Sequence, residues 1–165
     1  VKVLVVSDTH KSIALAEKAL RPHLPADLLI HLGDYVEDGA ELSSRLGIAF
    51  KAVRGDNDFC AGDSELELEL DGLRVFLSHG HGFGIDDGLG RFFEECRRRG
   101  SRLGFFGHSH RAQVSERDGI FLVNPGNLYM AEKANSLAMV RTEPGRARLE
   151  LFDTNGGGVI DVREI

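Results

Sequence analysis

The apolar pattern of the chain changes period near residue 60, and few architectures accommodate both halves. Before that point, short β-branched runs ("KVLVVS", "DLLIHLG", "IAFKAV") alternate with helical stretches at 12–21 and about 38–46. Runs that are apolar on both faces and separated by helices are the grammar of βαβ units with parallel, fully buried strands. After it, "SELELEL" alternates polar and apolar residues, "LDG" turns the chain, and "LRVFLSHGHG" returns as a strand. A helix over 86–99 and a strand at "RLGFFGHSH" follow, and hairpin turns are expected at "RDG", "EPG" and "TNGG". The second half is thus mostly β. The halves are expected to close over one core as two sheets with flanking helices, an α/β class with α+β content, in a single domain spanning 1–165.

Composition removes several function classes. The 165 residues carry a formal charge of -6, with 28% charged and 42% hydrophobic side chains, 20 glycines and 4 prolines. Such a balance describes a globular chain with many tight turns. It argues against general nucleic-acid binding, which needs clustered Lys and Arg to neutralise phosphates. The densest basic run, Arg97 to Arg99, falls at the end of the 86–99 helix, where cations complement the helix dipole. Cys60 and Cys96 match no Cys-x-x-Cys pattern, so two reduced thiols and a cytoplasmic location are expected. The first apolar run is too short for a signal-peptide core, and no segment approaches the roughly 20 apolar residues that span a bilayer, so no membrane association is expected. The tripeptide Arg54, Gly55, Asp56 is too short to stand as an adhesion signal.

The chemistry collects at the strand ends. Asp8 and His10 follow the first strand, Gly33 and Asp34 the second, and Asp56 to Asp58 the third; His79 and His81, then His108 and His110, end two later ones. Strand ends along one edge of a sheet are neighbours in space, so these donors can converge. Singly, each pair is an ordinary turn. Together they place five of seven histidines beside glycine or other small residues, which let a backbone approach an ion closely. Mixed imidazole and carboxylate donors suit Mn, Fe, Co, Ni or Zn better than Ca or Mg. About seven donors crowd one ion; two ions sharing a carboxylate, with a bridging hydroxide as nucleophile, fit better and point to phosphoester hydrolysis.

"DTH" at 8–10, "GDY" at 33–35, "GDND" at 55–58, "HGH" at 79–81 and "GHSH" at 107–110, in that order, resemble the five motifs of the calcineurin-like metallophosphoesterases. The match spans residues 1 to about 127, and the short intervals and the "NPGN" loop at 124–127 resemble the small prokaryotic phosphodiesterase branch. The resemblance implies a four-layer αββα sandwich of two mixed sheets flanked by helices. It implies two divalent ions, manganese foremost: Asp8, His10 and His110 on one, His79 and His108 on the other, and Asp34 between them.

The chain departs from that pattern in its third motif, which in the family reads Gly-Asn followed by His, Cys or Asn and an acid. Here Asp56 stands in the amide's place and Asn57 follows. Either Asp56 coordinates as a carboxylate, which the register after Gly55 favours, or the loop shifts and Asn57 coordinates. Position 57 also lacks the histidine that protonates a leaving group in some relatives. His81 is then the nearest candidate acid, its alternative being a hydrogen-bonding support. A carboxylate at 56 makes the centre less positive, so small soluble phosphodiesters are the expected substrates. The rival reading is non-catalytic: a subunit of the retromer sorting complex resembles this fold and uses the metal region for protein contact. Nuclease action is a third, without an evident basic groove.

Other residues carry plainer expectations. His31 is expected to be a packed histidine, and His23, past a helix end, to be solvated. Asn124 and Asn127 bracket a Pro-Gly turn that either borders the site or is structural, and Tyr35 either lines a substrate wall or packs. Relatives often self-associate, so a homodimer is expected, with "ELELEL" either at its interface or facing the core.

Overall fold

The structure is a computed structural model describing residues 1–165. Strands β1 (Lys2–Val6), β2 (Leu28–His31) and β3 (Ala49–Ala52) alternate with helices α1 (Ile13–Leu20) and α2 (Val36–Leu46). Then come β4 (Glu65–Leu70), β5 (Leu73–Ser78), helix α3 (Gly90–Arg99), and β6 (Leu103–Phe105), β7 (Gln113–Arg117) and β8 (Ile120–Asn124). Strands β9 (Ser136–Glu143), β10 (Arg146–Asp153) and β11 (Val159–Glu164) complete the chain. One sheet has the order β11-β10-β9-β1-β2-β3 and the other β4-β5-β6-β8-β7. Both are mixed: β1, β2 and β3 run parallel, as do β5, β6 and β8, with antiparallel strands beside them.

The apolar runs explain the layering. Along β1, Val3 and Val5 enter the space between the sheets, where they meet Val75, Leu77, Leu103 and Phe105 of the second sheet. Leu4 and Val6 point the other way and pack under Ala16 and Leu20 of α1 and Leu42 of α2. On the far side, Phe76 and Phe106 pack against Phe92, Phe93 and Cys96 of α3. Period-2 alternation in strands that are buried on both faces gives the expected αββα order.

The three hairpins fall at the expected turns. Leu66 and Leu68 pack against the inter-sheet core, so the apolar face of "ELELEL" looks inward. Arg97, Arg98 and Arg99 close α3, paired with Glu94, Glu95, Glu65, Glu67 and Asp118. Two expectations change. The 86–99 helix starts only at Gly90, because Gly84 and Gly88 take positive φ and break 81–87 into two short 3-10 turns. His23 is half-buried rather than solvated, its ring centroid 4.5 Å from that of Phe152.

Candidate metal centre

Strands β1, β2, β5 and β6 end at the same edge of the sandwich, and the loops that leave them carry the histidines and aspartates. Asp8, His10, Asp34, His108 and His110 all have positive φ, between 43° and 64°. That region is costly for residues with a side chain, by about 1–3 kcal/mol each, and persists only where surroundings over-determine it. Close packing supplies the constraint. A Cβ at Gly55 would lie 2.2 Å from Asp34 Oδ1, one at Gly33 2.6 Å from His79 Nδ1, and one at Gly107 2.0 Å from Ser7 Oγ.

Three donor groups result: Asp8, His10 and His110; Asp56, His79 and His108; and Asp8, Asp34 and His79, the ligand atoms of each within 4.8 Å of one another. Asp34 stands between the outer two. Its Oδ2 lies 3.8 Å from His10 Nε2, and its Oδ1 3.4 Å from His79 Nε2. Asp56 Oδ1 is 3.1 Å from both His79 Nε2 and His108 Nδ1. Asn57 takes another role: its backbone N–H donates to Asp34 Oδ1 at 3.0 Å and its Nδ2 to Asp34 Oδ2 at 2.6 Å. His81 sits at the open edge, Nδ1 3.9 Å from Asp56 Oδ1, held below its ordinary pKa by burial and then by His79.

Hydrogen bonding fixes the nitrogen that each imidazole can offer. Nδ1 of His79 lies 2.7 Å from the Leu32 carbonyl, which can only accept, so Nδ1 carries the proton and Nε2 is left with its lone pair facing the centre. That Nε2, His10 Nε2 and Asp8 Oδ1 are buried without a hydrogen-bond partner. Orphaned buried polar atoms are rare and call for an explanation. Burial pushes the Asp8 carboxyl up, but the His110 imidazole, its Nε2 3.2 Å from Oδ1, and then His79 outweigh it and leave it below the usual range. His110 is correspondingly raised by the Asp8 carboxylate. No lysine or arginine is paired with Asp8, Asp34 or Asp56; their close nitrogen neighbours are imidazoles. Three carboxylates and four imidazoles converging on one edge fit divalent cations.

Supporting residues surround this set. Asp58 accepts four backbone N–H bonds, from Asp34, Tyr35, Val36 and Gly55. It ties the third loop to the second and caps α2 from a distance. His31 is indeed packed: Gly33 N–H donates to its Nδ1, and its Nε2 meets Thr9 Oγ1, which donates to Asp38. Asn124 and Asn127 are buried and structural, their amides donating to the carbonyls of Gly107 and His110. Tyr35 and Tyr129 both pack on the His10 ring, at 5.2 and 4.7 Å. Sequence reasoning missed Asp86, whose Oδ2 lies 3.2 Å from His108 Nε2, and Asp38, buried beneath the first loop. The signal for Asp86 was its place in the glycine-rich stretch after "HGH"; for Asp38 there was none.

An αββα sandwich with imidazole and carboxylate donors on the loops of one edge has the architecture of a metal-dependent phosphoesterase. The comparisons with known proteins agree. The family model for the calcineurin-like phosphoesterase superfamily domain matches residues 1–145, and the chain belongs to that superfamily. A probable metallophosphoesterase of Bacillus subtilis, YsnB, is 30% identical over 168 aligned positions, covering 98% of this chain and 96% of its own. The phosphoesterase YfcE of E. coli shares the fold with a TM-score of 0.72 at 22% identity, covering 99% of this chain and 98% of its own. Vps29 of Entamoeba histolytica, solved with zinc, superposes with a TM-score of 0.76 at 16% identity, covering 100% of this chain and 98% of its own. Membership implies phosphoester hydrolysis with divalent metal ions.

Proposed function

We propose that the protein is a binuclear metal-dependent phosphodiesterase acting on small soluble phosphodiesters, with manganese as its foremost metal. The observation that carries this is Asp34, whose two carboxylate oxygens face opposite donor groups, Asp8/His10/His110 on one side and Asp56/His79/His108 on the other. When bound, two divalent ions supply Lewis acidity and an activated water. The chain's own residues set the rest. Asn57 holds Asp34 through both carboxylate oxygens, fixing the shared ligand rather than serving as a donor itself. Asp56 contributes a carboxylate where the family pattern has a neutral amide, which lowers the net positive charge that a substrate meets. A phosphomonoester carries about -1.5 to -2 near neutral pH, so the loss of one positive unit penalises it more than a diester. We assign to His81, the imidazole at the open edge, delivery of a proton to the leaving oxygen.

The test is hydrolysis of bis(p-nitrophenyl) phosphate and p-nitrophenyl phosphate by metal-stripped protein, with Mn, Ni, Co, Zn or Mg restored singly and bound ions counted calorimetrically. Two bound ions and turnover that favours the diester support the reading; Asp56→Asn should then shift the preference toward the monoester. Folded protein that stays inactive with every metal would replace it with a binding module. His81→Ala should slow alkyl diesters more than nitrophenyl ones, whose leaving groups need no acid. A reduced, cytoplasmic setting and a homodimer complete the proposal, the former resting on the unpaired thiols Cys60 and Cys96.

A further inference from the structure

At the end of the sandwich opposite the metal centre lies a cleft of about 380 Å³ lined by Arg74, Arg102 and Arg146 with Asp71, Glu143 and Ile165. It is built where the parallel strands begin. Val75 pairs with Leu103 across β5 and β6, and one step earlier the Arg102 N–H donates to the Arg74 carbonyl at 3.2 Å. Val75 and Leu103 both turn into the inter-sheet core, so the exposed side chains of Arg74 and Arg102 emerge side by side on the other face. Arg146 joins them from the start of β10.

Like charges on adjacent strand positions are destabilising unless something of opposite sign lies between them. The surrounding protein does not provide it. None of the three guanidiniums is within ion-pair reach of a carboxylate, as is also true of Arg54, Arg91, Arg111 and Arg117, which are scattered elsewhere, whereas Arg21, Arg45, Arg97, Arg98, Arg99, Arg141, Arg148 and Arg163 are paired. Glu143 is opposite Arg146 in the hairpin register without pairing to it, and Asp71 accepts from Thr142 Oγ1 at 2.7 Å. The acids of the cleft do not cancel the three arginines: Asp71 is also paired with the Val1 ammonium at 2.9 Å, which leaves Glu143 alone against them. Guanidinium forks match phosphate oxygens two at a time.

We propose that this cleft is a second ligand site, separate from the metal centre, that binds a small multiply charged phosphate. Such a ligand bridges Arg74 and Arg102 and recruits Arg146, which couples the second sheet to the β9–β10 hairpin of the first. The proposal does not depend on catalysis at the other end.

The experiment is isothermal titration of the chelator-treated, metal-free full chain with inorganic pyrophosphate, tripolyphosphate and ATP at low ionic strength. Saturable binding is expected, about tenfold weaker in Arg102→Gln and about a hundredfold weaker in Arg102→Gln/Arg146→Gln, at roughly 1.4 kcal/mol per tenfold step. The charge-conserving Arg102→Lys/Arg146→Lys pair should fall between, because the fork is lost and the charge kept. His10→Ala, at the metal centre, should bind as the native chain does. ATP binding tighter than tripolyphosphate would identify a nucleotide; equal affinities would identify the bare oligophosphate. No saturable binding by native protein, or binding that the arginine variants leave unchanged, overturns the proposal.

Discussion

Asp58→Asn isolates the device that joins two of the site loops. In the native chain Asp58 Oδ2 accepts from Asp34 N–H at 2.8 Å and Gly55 N–H at 2.7 Å, and Oδ1 from Tyr35 at 2.7 Å and Val36 at 2.9 Å. The side chain is 7% exposed, so water does not replace it. An asparagine keeps one acceptor oxygen and turns an amide N–H₂ toward the other two donors. Two hydrogen bonds to a charged acceptor, at roughly 1.5–3 kcal/mol each, are lost. The negative charge at the start of α2 goes too, worth about 0.3–1 kcal/mol. A destabilisation of about 3–7 kcal/mol follows, large enough to leave a chain of ordinary stability marginal. The assay is urea unfolding of metal-free protein, followed by far-UV circular dichroism. Asn57→Ala is the control: it removes the side-chain bond to Asp34 Oδ2, keeps the backbone one, leaves the four N–H groups untouched, and should cost clearly less. A loss below about 1 kcal/mol in Asp58→Asn would mean that the four N–H groups find other partners, and the clamp would be refuted.

Three further outcomes can be checked. Burial holds His31 neutral and lowers its pKa to about 4 from 6.5, so the unfolded chain takes up its proton first; stability should fall as pH drops below about 6.5 and level off near 4, by up to about 3 kcal/mol. His31→Asn should flatten that part of the pH profile, and an unchanged slope would count against it. Asp86→Asn removes the carboxylate beside His108 Nε2 and, in the proposed two-ion centre, should weaken the ion on the His108 side by about 10- to 100-fold in a calorimetric titration, leaving the other unmoved. Gly55→Ala forces a Cβ against Asp34 Oδ1 and should abolish metal binding at the shared ligand more completely than Asp86→Asn; retention of both ions would show that the loops can shift.

The layers and the edge that bears the site were legible because both are written in short-range patterns. Apolar runs fix which strands are buried, and a donor placed one to four residues past such a run must sit at its end, wherever the strand goes in the sheet. His79 and His108 could therefore be assigned to one edge without knowing that β5 and β6 are neighbours. The limits have an equally local cause. Whether Asp56 or Asn57 faces the histidines depends on the path of one turn, and that path is set by Asp58 gripping amides more than 20 positions earlier in the chain. Asp38 reads as an ordinary acid in the first turn of a helix, yet it is buried under Thr9 and Lys11 by the packing of α2 against β1 and β2. His23 looked solvated because Phe152, which covers it, enters from the last third of the chain.

The same contrast explains how a strained centre persists in a fold otherwise made of relaxed elements. Five donor-loop residues with positive φ and three orphaned donor atoms would, taken alone, push the loops toward other conformations. Four of the five donor loops are instead tied to the layer beneath them by a side chain that is not itself a donor. Thr9 and Asp38 hold the first, Asp58 the second and third, and Asn124 and Asn127 the last. Those anchors are buried, and their hydrogen bonds are all to protein groups, so the backbone path of these loops is set by the fold itself. Metal affinity should therefore respond more to loss of an anchor, which frees a loop, than to loss of an exposed donor such as Asp56, which is 43% accessible.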